Sequence, residues 1–240
     1  MYRGLSFAVV APCLNEKNRI ARVVARVKAT GLADEIIVVD DGSEDGSADA
    51  AEREGATILR WEKSRGVGAA LRAGLELAAK KYSVAIVIAG NDKDDPTEIP
   101  RLLDPILDAE ADFVQGSRYL KGGKIGGGMP WYRRLATRLH PFLFSLSSGH
   151  PVTESTNGFR AIRLSLLKDP RIATHQAWLD HYELEPYLLY KALTLGYRCR
   201  EVPVTKVYPP FGERYTRMRA GRDWWSILRP LVLLRLGWRT

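Results

Sequence analysis

An α/β fold with a mainly parallel sheet and helices on both faces is what this sequence predicts. Two observations carry that reading. Short apolar runs without alternation recur through the first half of the chain, as strands buried on both faces require, and segments of helical period separate them, as parallel neighbours require. A third observation places the chemistry. In such sheets ligands bind beyond the carboxyl ends of the strands, and here the residues after the runs are polar or acidic.

The elements follow in order. Leu5–Pro12 is the first run, and Asn18–Thr30 carries Ile20, Val23, Val24 and Val27 at helical spacing. Glu35–Asp40 is the second strand, followed by Asp41-Gly42-Ser43 and a helix over Ser47–Glu54. Ala56–Leu59, a helix over Gly68–Lys81, Val84–Ala89, a helix over Glu98–Glu110 and Asp112–Gly116 complete a nucleotide-binding-like half, residues 1–120. Beyond Tyr119 the pattern changes. Lys121–Gly128 is glycine-rich and predicts a mobile loop, because glycine has the most backbone freedom to lose. A helix over Trp131–Ser148 follows, with a break or kink expected at Pro141. The segment Val152–Arg163, an acidic helix near Leu179–Leu195 and a strand over Arg200–Tyr208 complete a second half, residues 121–206. Residues 207–240 form a basic tail holding Trp224, Trp225 and Trp238.

Composition narrows the partners. At 240 residues with 45% hydrophobic side chains, the chain suits one large folded domain and is too apolar for disorder. Cys13 and Cys199 cannot build a disulfide framework or a four-cysteine zinc site, so they read as buried thiols in a reducing compartment. A net charge of +8, from 36 Lys and Arg against 28 Asp and Glu, calls for an anionic partner: nucleic acid, a membrane surface or a phosphorylated small molecule. The opening residues read as a buried strand and not a signal peptide, and no apolar stretch reaches the roughly 18 residues of a transmembrane helix.

The acidic strand ends carry the chemistry. Asp40-Asp41-Gly42-Ser43 ends the second strand, and Asp92, Asp94 and Asp95 end the fourth. Such carboxylates repel one another unless they face a cation or accept hydroxyl hydrogen bonds, and a divalent metal holding a diphosphate meets that need. Turn formation is the alternative for either cluster taken alone.

Ala11-Pro12-Cys13-Leu14-Asn15-Glu16, Asp40-Asp41-Gly42-Ser43 and Arg65-Gly66-Val67-Gly68-Ala69-Ala70, in that order, resemble the family 2 glycosyltransferases of the GT-A fold. Asp112–Tyr119 and Ser155–Ala161 resemble the branch of dolichyl-phosphate mannosyltransferases and other polyprenyl-phosphate glycosyltransferases. The resemblance covers about residues 5–206 and implies an inverting transfer from a nucleotide-sugar donor to a polyprenyl-phosphate or lipid-linked glycan acceptor. It further implies that Pro12, Asn15, Glu16 and Asp41 hold the nucleoside, with Arg65, Gly68 and Asn91 lining the donor site. A divalent cation, Mg²⁺ or Mn²⁺, would sit on Asp92 with Asp94 beside it, and Arg118 would pair with a phosphate. The family pattern is Asp-x-Asp, however, and this chain reads Gly90-Asn91-Asp92. A non-catalytic or weakly active relative that binds nucleotide-sugar or lipid is therefore the alternative.

A polyprenyl-phosphate acceptor is already anionic and needs no base, whereas a sugar hydroxyl needs a carboxylate to take its proton. Glu154, Asp180, Glu183 and Glu185 are the candidates, with Glu154 and Glu183 assigned to catalysis beside Asp92 and Arg118. Basic residues gather for the acceptor: Arg133 and Arg134, then Arg214, Arg217, Arg219 and Arg222, of which Arg217 and Arg219 are assigned to a phosphate clamp. Trp224–Trp238 interleaves apolar residues with Arg229, Arg235 and Arg239 and reads as an amphipathic helix on anionic lipid, placing the protein in the cytoplasm, peripheral on the inner face of the membrane. A terminal helix packed on the core, or on a second subunit of a homo-oligomer, is the alternative. Nucleic-acid binding is disfavoured, since no basic face with stacking aromatics is visible. A nucleotidyltransferase would want a Gly-rich basic loop after the first strand, where Cys13-Leu14-Asn15-Glu16 stands.

Overall fold

The first apolar run forms β1 (Phe7–Cys13), whose aliphatic side chains are buried toward both faces. The computed structural model describes residues 1–210, 218 and 222–239. α1 (Lys17–Ala29) lays Ile20, Val23, Val24 and Val27 against the sheet. β2 (Glu35–Asp40), α2 (Ser47–Arg53), β3 (Thr57–Arg60), α3 (Val67–Ala78), β4 (Val84–Val87), α4 (Ile99–Leu107) and β5 (Phe113–Ser117) continue the expected alternation. Then come β6 (Lys124–Gly127), α5 (Trp131–Ser148), β7 (Arg160–Arg163), α6 (Leu184–Thr194), β8 (Cys199–Pro203), β9 (Thr205–Tyr208) and α7 (Arg222–Arg235).

The described residues build a seven-stranded sheet in the order β3-β2-β1-β4-β7-β5-β8. β7 runs antiparallel to β4 and β5, and the remaining neighbours are parallel. One apolar layer packs α1 and α4 on one face, through residues such as Val24 and Leu102; the other packs α3 and α6, through Leu71 and Leu188. β1 pairs with β2 on one side and β4 on the other, so the strand order reverses there, and the cleft beyond their carboxyl ends is where an open α/β sheet takes a ligand.

Three expectations change. Lys121–Gly128 is not a loop throughout: β6 pairs in parallel with β9 as a separate two-stranded ribbon. Its glycine serves close packing, since Gly127 has φ +73° and a Cβ there would fall 1.8 Å from the Tyr208 carbonyl oxygen. The strand expected over Arg200–Tyr208 is two strands in two sheets, divided at Val204, whose N–H donates to the Ser117 carbonyl while its own carbonyl accepts from the Lys124 amide. α5 passes Pro141 without breaking, and α7 passes Pro230. Both cysteines are free, and burial pushes each thiol up to about 12.

Candidate functional site

A cavity of about 420 Å³ opens beyond the carboxyl ends of β1 and β4. Pro12, Glu16, Asp41 and Gly66 line it from the strand-end loops, with Gly90, Asn91 and Lys93 following β4. Arg133 of α5, Thr156, Lys206 of β9, and Asp223 and Ile227 of α7 line it from the other side. One space therefore joins the strand-end loops after β1, β2 and β4 to α5 and α7.

The loops after β1 and β2 are sewn to each other. Asn15 (φ +49°) donates its backbone N–H to the Ser43 hydroxyl at 2.8 Å, and its Oδ1 accepts from the Glu44 amide at 2.8 Å. Asp41 accepts from the Ser64 hydroxyl at 2.7 Å and from the amides of Arg65 at 2.6 Å and Gly66 at 3.1 Å, so its carboxylate shapes the wall by holding the turn into α3. Glu16 lines the cavity and forms an ion pair with Arg19 at 2.8 Å. Arg65 lays its guanidinium over Trp61, 4.6 Å from the ring centroid, and is not among the lining residues. Gly68 has a steric role: a Cβ would lie 2.1 Å from the Leu179 carbonyl oxygen, where α3 docks onto residues 179–181.

The end of β4 differs most from expectation. Gly90 is pressed against β1, and a Cβ there would come within 2.9 Å of the Pro12 carbonyl oxygen. Asn91 faces the cavity, with Oδ1 buried and lacking a hydrogen-bond partner among the described residues. Asp92 (φ +56°) turns onto α1, accepting from Arg22 at 2.7 Å and Arg26 at 2.9 Å, and Arg26 also reaches Asp95 at 3.2 Å. Asp94 is buried and accepts from Lys206 Nζ at 2.6 Å; the same ammonium donates to Asn157 Oδ1 at 2.8 Å. Asp92 and Asp94 are thus not brought together as a ligand set, and no group of three His, Cys, Asp or Glu able to hold a metal ion occurs among the described residues.

Lys93 and Lys206 also line the cavity. The Lys93 carbonyl accepts from the Val207 amide at 2.8 Å, which fixes the segment to β9, and its ammonium lies 5.5 Å from the Tyr208 ring centroid. Burial, together with the nearby positive charges of Lys206 and Arg133, pushes Lys93 down to about 7. Sequence reasoning missed both lysines as site residues. The available signal was a lysine directly inside the acidic strand-end segment.

The expected catalytic residues other than Asp92 stand behind the cavity wall. Arg118 donates from Nε to Glu154 at 2.6 Å, from Nη1 to the Tyr208 hydroxyl at 2.5 Å and from Nη2 to the Thr156 hydroxyl at 3.0 Å. Burial opposes charge on this pair, but the mutual attraction prevails, holding the guanidinium above its ordinary range and the carboxylate below its own. Glu183 is buried against Arg229, 2.7 Å away, and Asp180 is ion-paired with Arg72 at 2.7 Å. Glu185 lines the cavity while pairing with Arg160 at 3.1 Å. Arg214, Arg217 and Arg219 lie outside the described residues.

A family model described as Glycosyl transferase family 2 matches residues 8–169. The chain is similar to a dolichyl-phosphate hexose transferase of Haloferax volcanii, with 33% identity over 86% of this chain and 83% of that one. It is similar to a polyprenol monophosphomannose synthase of Mycolicibacterium smegmatis, with 29% identity over 82% of this chain and 76% of that one. In fold it is similar to glucosyl-3-phosphoglycerate synthase from Mycobacterium tuberculosis, crystallised with Mn²⁺, uridine diphosphate and phosphoglyceric acid: TM-score 0.69, 24% identity, covering 98% of this chain and 79% of that one.

Proposed function

The chain belongs to glycosyltransferase family 2, and on that premise we propose that it moves a sugar from a nucleotide-sugar to a polyprenyl phosphate at a membrane surface. The observation that carries this reading is the reach of the cavity, from the strand-end loops Pro12–Glu16 and Asp41 to α5 and α7. The first region suits a nucleoside, since Asp41 and Glu16 are acceptors for base and ribose donors. The second suits a lipid. Leu135, Leu139, Phe142 and Leu146 stand out at helical spacing on α5, the last 71% exposed, beside the exposed Arg134 and Arg138. Trp225 and Val232 do the same on α7, and Leu236 just beyond its end. Basic helices with an apolar outer face lie in the interface of anionic bilayers. No helix among the described residues is long and apolar enough to cross a membrane, so contact would be through these faces.

The acceptor's charge fits the side chains present. Glu154 and Glu183 are buried in ion pairs and do not line the cavity, and Glu185 is engaged by Arg160. None is set out as a free base, and a lipid phosphate requires none. In the proposed step a phosphate oxygen of the acceptor bonds to the anomeric carbon as the bond to the nucleoside diphosphate breaks. The electron pair leaves on the diphosphate, the configuration inverts, and no proton moves. A divalent cation would ordinarily neutralise that leaving group. The residues here do not fit one: position 90 is glycine, Asp92 is held by two arginines, and Asp94 is held by a lysine.

The test is incorporation of label. The purified chain is incubated with radiolabelled nucleotide-sugars and a polyprenyl phosphate in vesicles, and the lipid phase is counted. One donor is expected to label the lipid; label appearing only on a water-soluble acceptor would refute the lipid reading.

A further inference from the structure

We infer that Lys93 and Lys206, and not a divalent cation, neutralise the diphosphate of the donor in this chain. The inference rests on the donor site proposed above and adds the nature of its counter-charge. A hard cation bridging a diphosphate needs oxygen ligands from the protein. At the end of β4 these are missing or engaged. Gly90 supplies none, and its backbone is drawn so close to Pro12 that a side chain has no room. Asp92 is turned away to Arg22 and Arg26. The acceptor atoms left are Asn91 Oδ1 and the second oxygen of Asp94, both buried without hydrogen-bond partners among the described residues. The Lys206 ammonium, 2.6 Å from the first Asp94 oxygen, would repel a dication at that point.

The same geometry suits an anion. Lys93 and Lys206 are 4% and 7% exposed, yet both line the cavity, and Arg133 joins them from α5. Glu16, Asp41, Glu185 and Asp223 also line the cavity, but Glu16 and Glu185 are paired with Arg19 and Arg160 and Asp41 holds the turn into α3. Lys93, Lys206 and Arg133 are therefore the charged groups beside the end of β4 that suit a multiply anionic diphosphate. Lys206 is pinned between Asp94 and Asn157, and the Lys93 backbone is fixed to Val207, so the Lys206 ammonium and the Lys93 backbone are in place before charge builds on the leaving group. The anomeric carbon–oxygen bond breaks, its electron pair settles on the diphosphate, and the two lysine side chains face that charge. The step consumes no cofactor.

Calorimetric titration of the full chain with UDP, GDP, ADP, CDP and dTDP, and with inorganic pyrophosphate as a base-free probe, tests this in EDTA and again in Mn²⁺. One nucleoside diphosphate is expected to bind in EDTA within about threefold of its affinity in Mn²⁺. Lys93→Met is expected to weaken it about tenfold or more, with Lys93→Arg retaining most of it, since a charged donor to phosphate is lost and then restored. Lys206→Met alone would strand the buried Asp94 carboxylate. It is therefore made together with Asp94→Asn, and this double variant should keep its melting temperature and lose affinity by a similar factor. Binding that needs Mn²⁺ and ignores Lys93→Met would overturn the lysine assignment and leave the donor site standing. Failure of every probe in both conditions would overturn both.

Discussion

Two buried clusters of charge lie on either side of the cavity wall, and they are built to opposite rules. In the Arg118–Glu154 cluster each guanidinium nitrogen has an acceptor, and Glu154 Oε1 accepts from the Ser155 amide and from both the amide and the hydroxyl of Thr156. It ties the end of β5, the 153–157 loop and β9 together, and neither Arg118 nor Glu154 lines the cavity. Lys93, Lys206 and Arg133 lie on the cavity surface with Glu16, Asp41, Glu185 and Asp223, and Asp94 is set against Lys206. A buried charge enclosed by partners is framework. Charged groups that line a cavity are placed to meet a ligand as well as one another.

The largest expected effect tests the enclosed cluster. Glu154→Leu leaves Arg118 buried and uncompensated, and is expected to cost about 3–5 kcal/mol in urea unfolding. The pH dependence has a definite sign. Arg118 and the Thr156 donors, working against burial, lower the Glu154 pKa in the fold from its ordinary 4.5. Its ionisation therefore adds stability above that value, and the gain is lost as pH falls through the folded pKa. The stability gap between the wild-type chain and Glu154→Gln should be widest above the ordinary 4.5 and close as pH falls from there through the lowered folded pKa. A gap independent of pH would mean that shape, not charge, holds the cluster.

Gly90→Asp probes the other side. Writing the family's aspartate back into the sequence is not expected to restore a metal site, because its Cβ would meet the Pro12 carbonyl at 2.9 Å. Overpacking of this kind costs about 1–3 kcal/mol. A variant that keeps full stability and acquires Mn²⁺-dependent nucleotide binding would show that the site is one substitution from the common form, and would blur the contrast drawn above.

These contrasts explain what the sequence could and could not show. Glu35–Asp40 reads as a strand from its composition and forms one over the same residues, because a fully buried strand leaves its mark in every position. β6 does not, since a glycine required for close approach, as Gly127 is against Tyr208, looks the same as one that only gives freedom. β7 was equally hidden: a short run such as Arg160–Arg163 carries no sign of its direction, and its antiparallel insertion between β4 and β5 is a tertiary fact. The acidic strand ends border the cavity, but the sequence does not say which way each carboxylate points. Nothing local announces that Asp92 takes φ +56° and turns onto α1. Lys206 meets Asp94 across 112 residues of chain, a pairing visible only once β9 is laid beside the segment after β4.

The apolar face of α5 yields a smaller effect. Phe142→Glu with Leu146→Glu replaces exposed groups, so stability should hold within about 0.5 kcal/mol. Cosedimentation with anionic vesicles should nevertheless fall about tenfold or more, as buried apolar area and charge attraction are lost together. Unchanged cosedimentation would move the lipid contact to α7.

The smallest effect is the most discriminating. Asp92 is where the family resemblance places a metal ligand, yet its carboxylate is spent on Arg22 and Arg26, both about half exposed. Ion pairs so open to water contribute about 0–1 kcal/mol, so Asp92→Asn should barely move the unfolding midpoint. If the carboxylate belongs to α1 and not to the donor, nucleoside diphosphate affinity in EDTA should also stay within about twofold, the change expected when no direct contact is removed. Were Asp92 instead a ligand that rotates inward when nucleotide and metal arrive, the same substitution would abolish any Mn²⁺-dependent gain in affinity. Titrating the variant with and without Mn²⁺ therefore decides between a carboxylate that braces the segment after β4 and one that leaves its arginines to meet a cation.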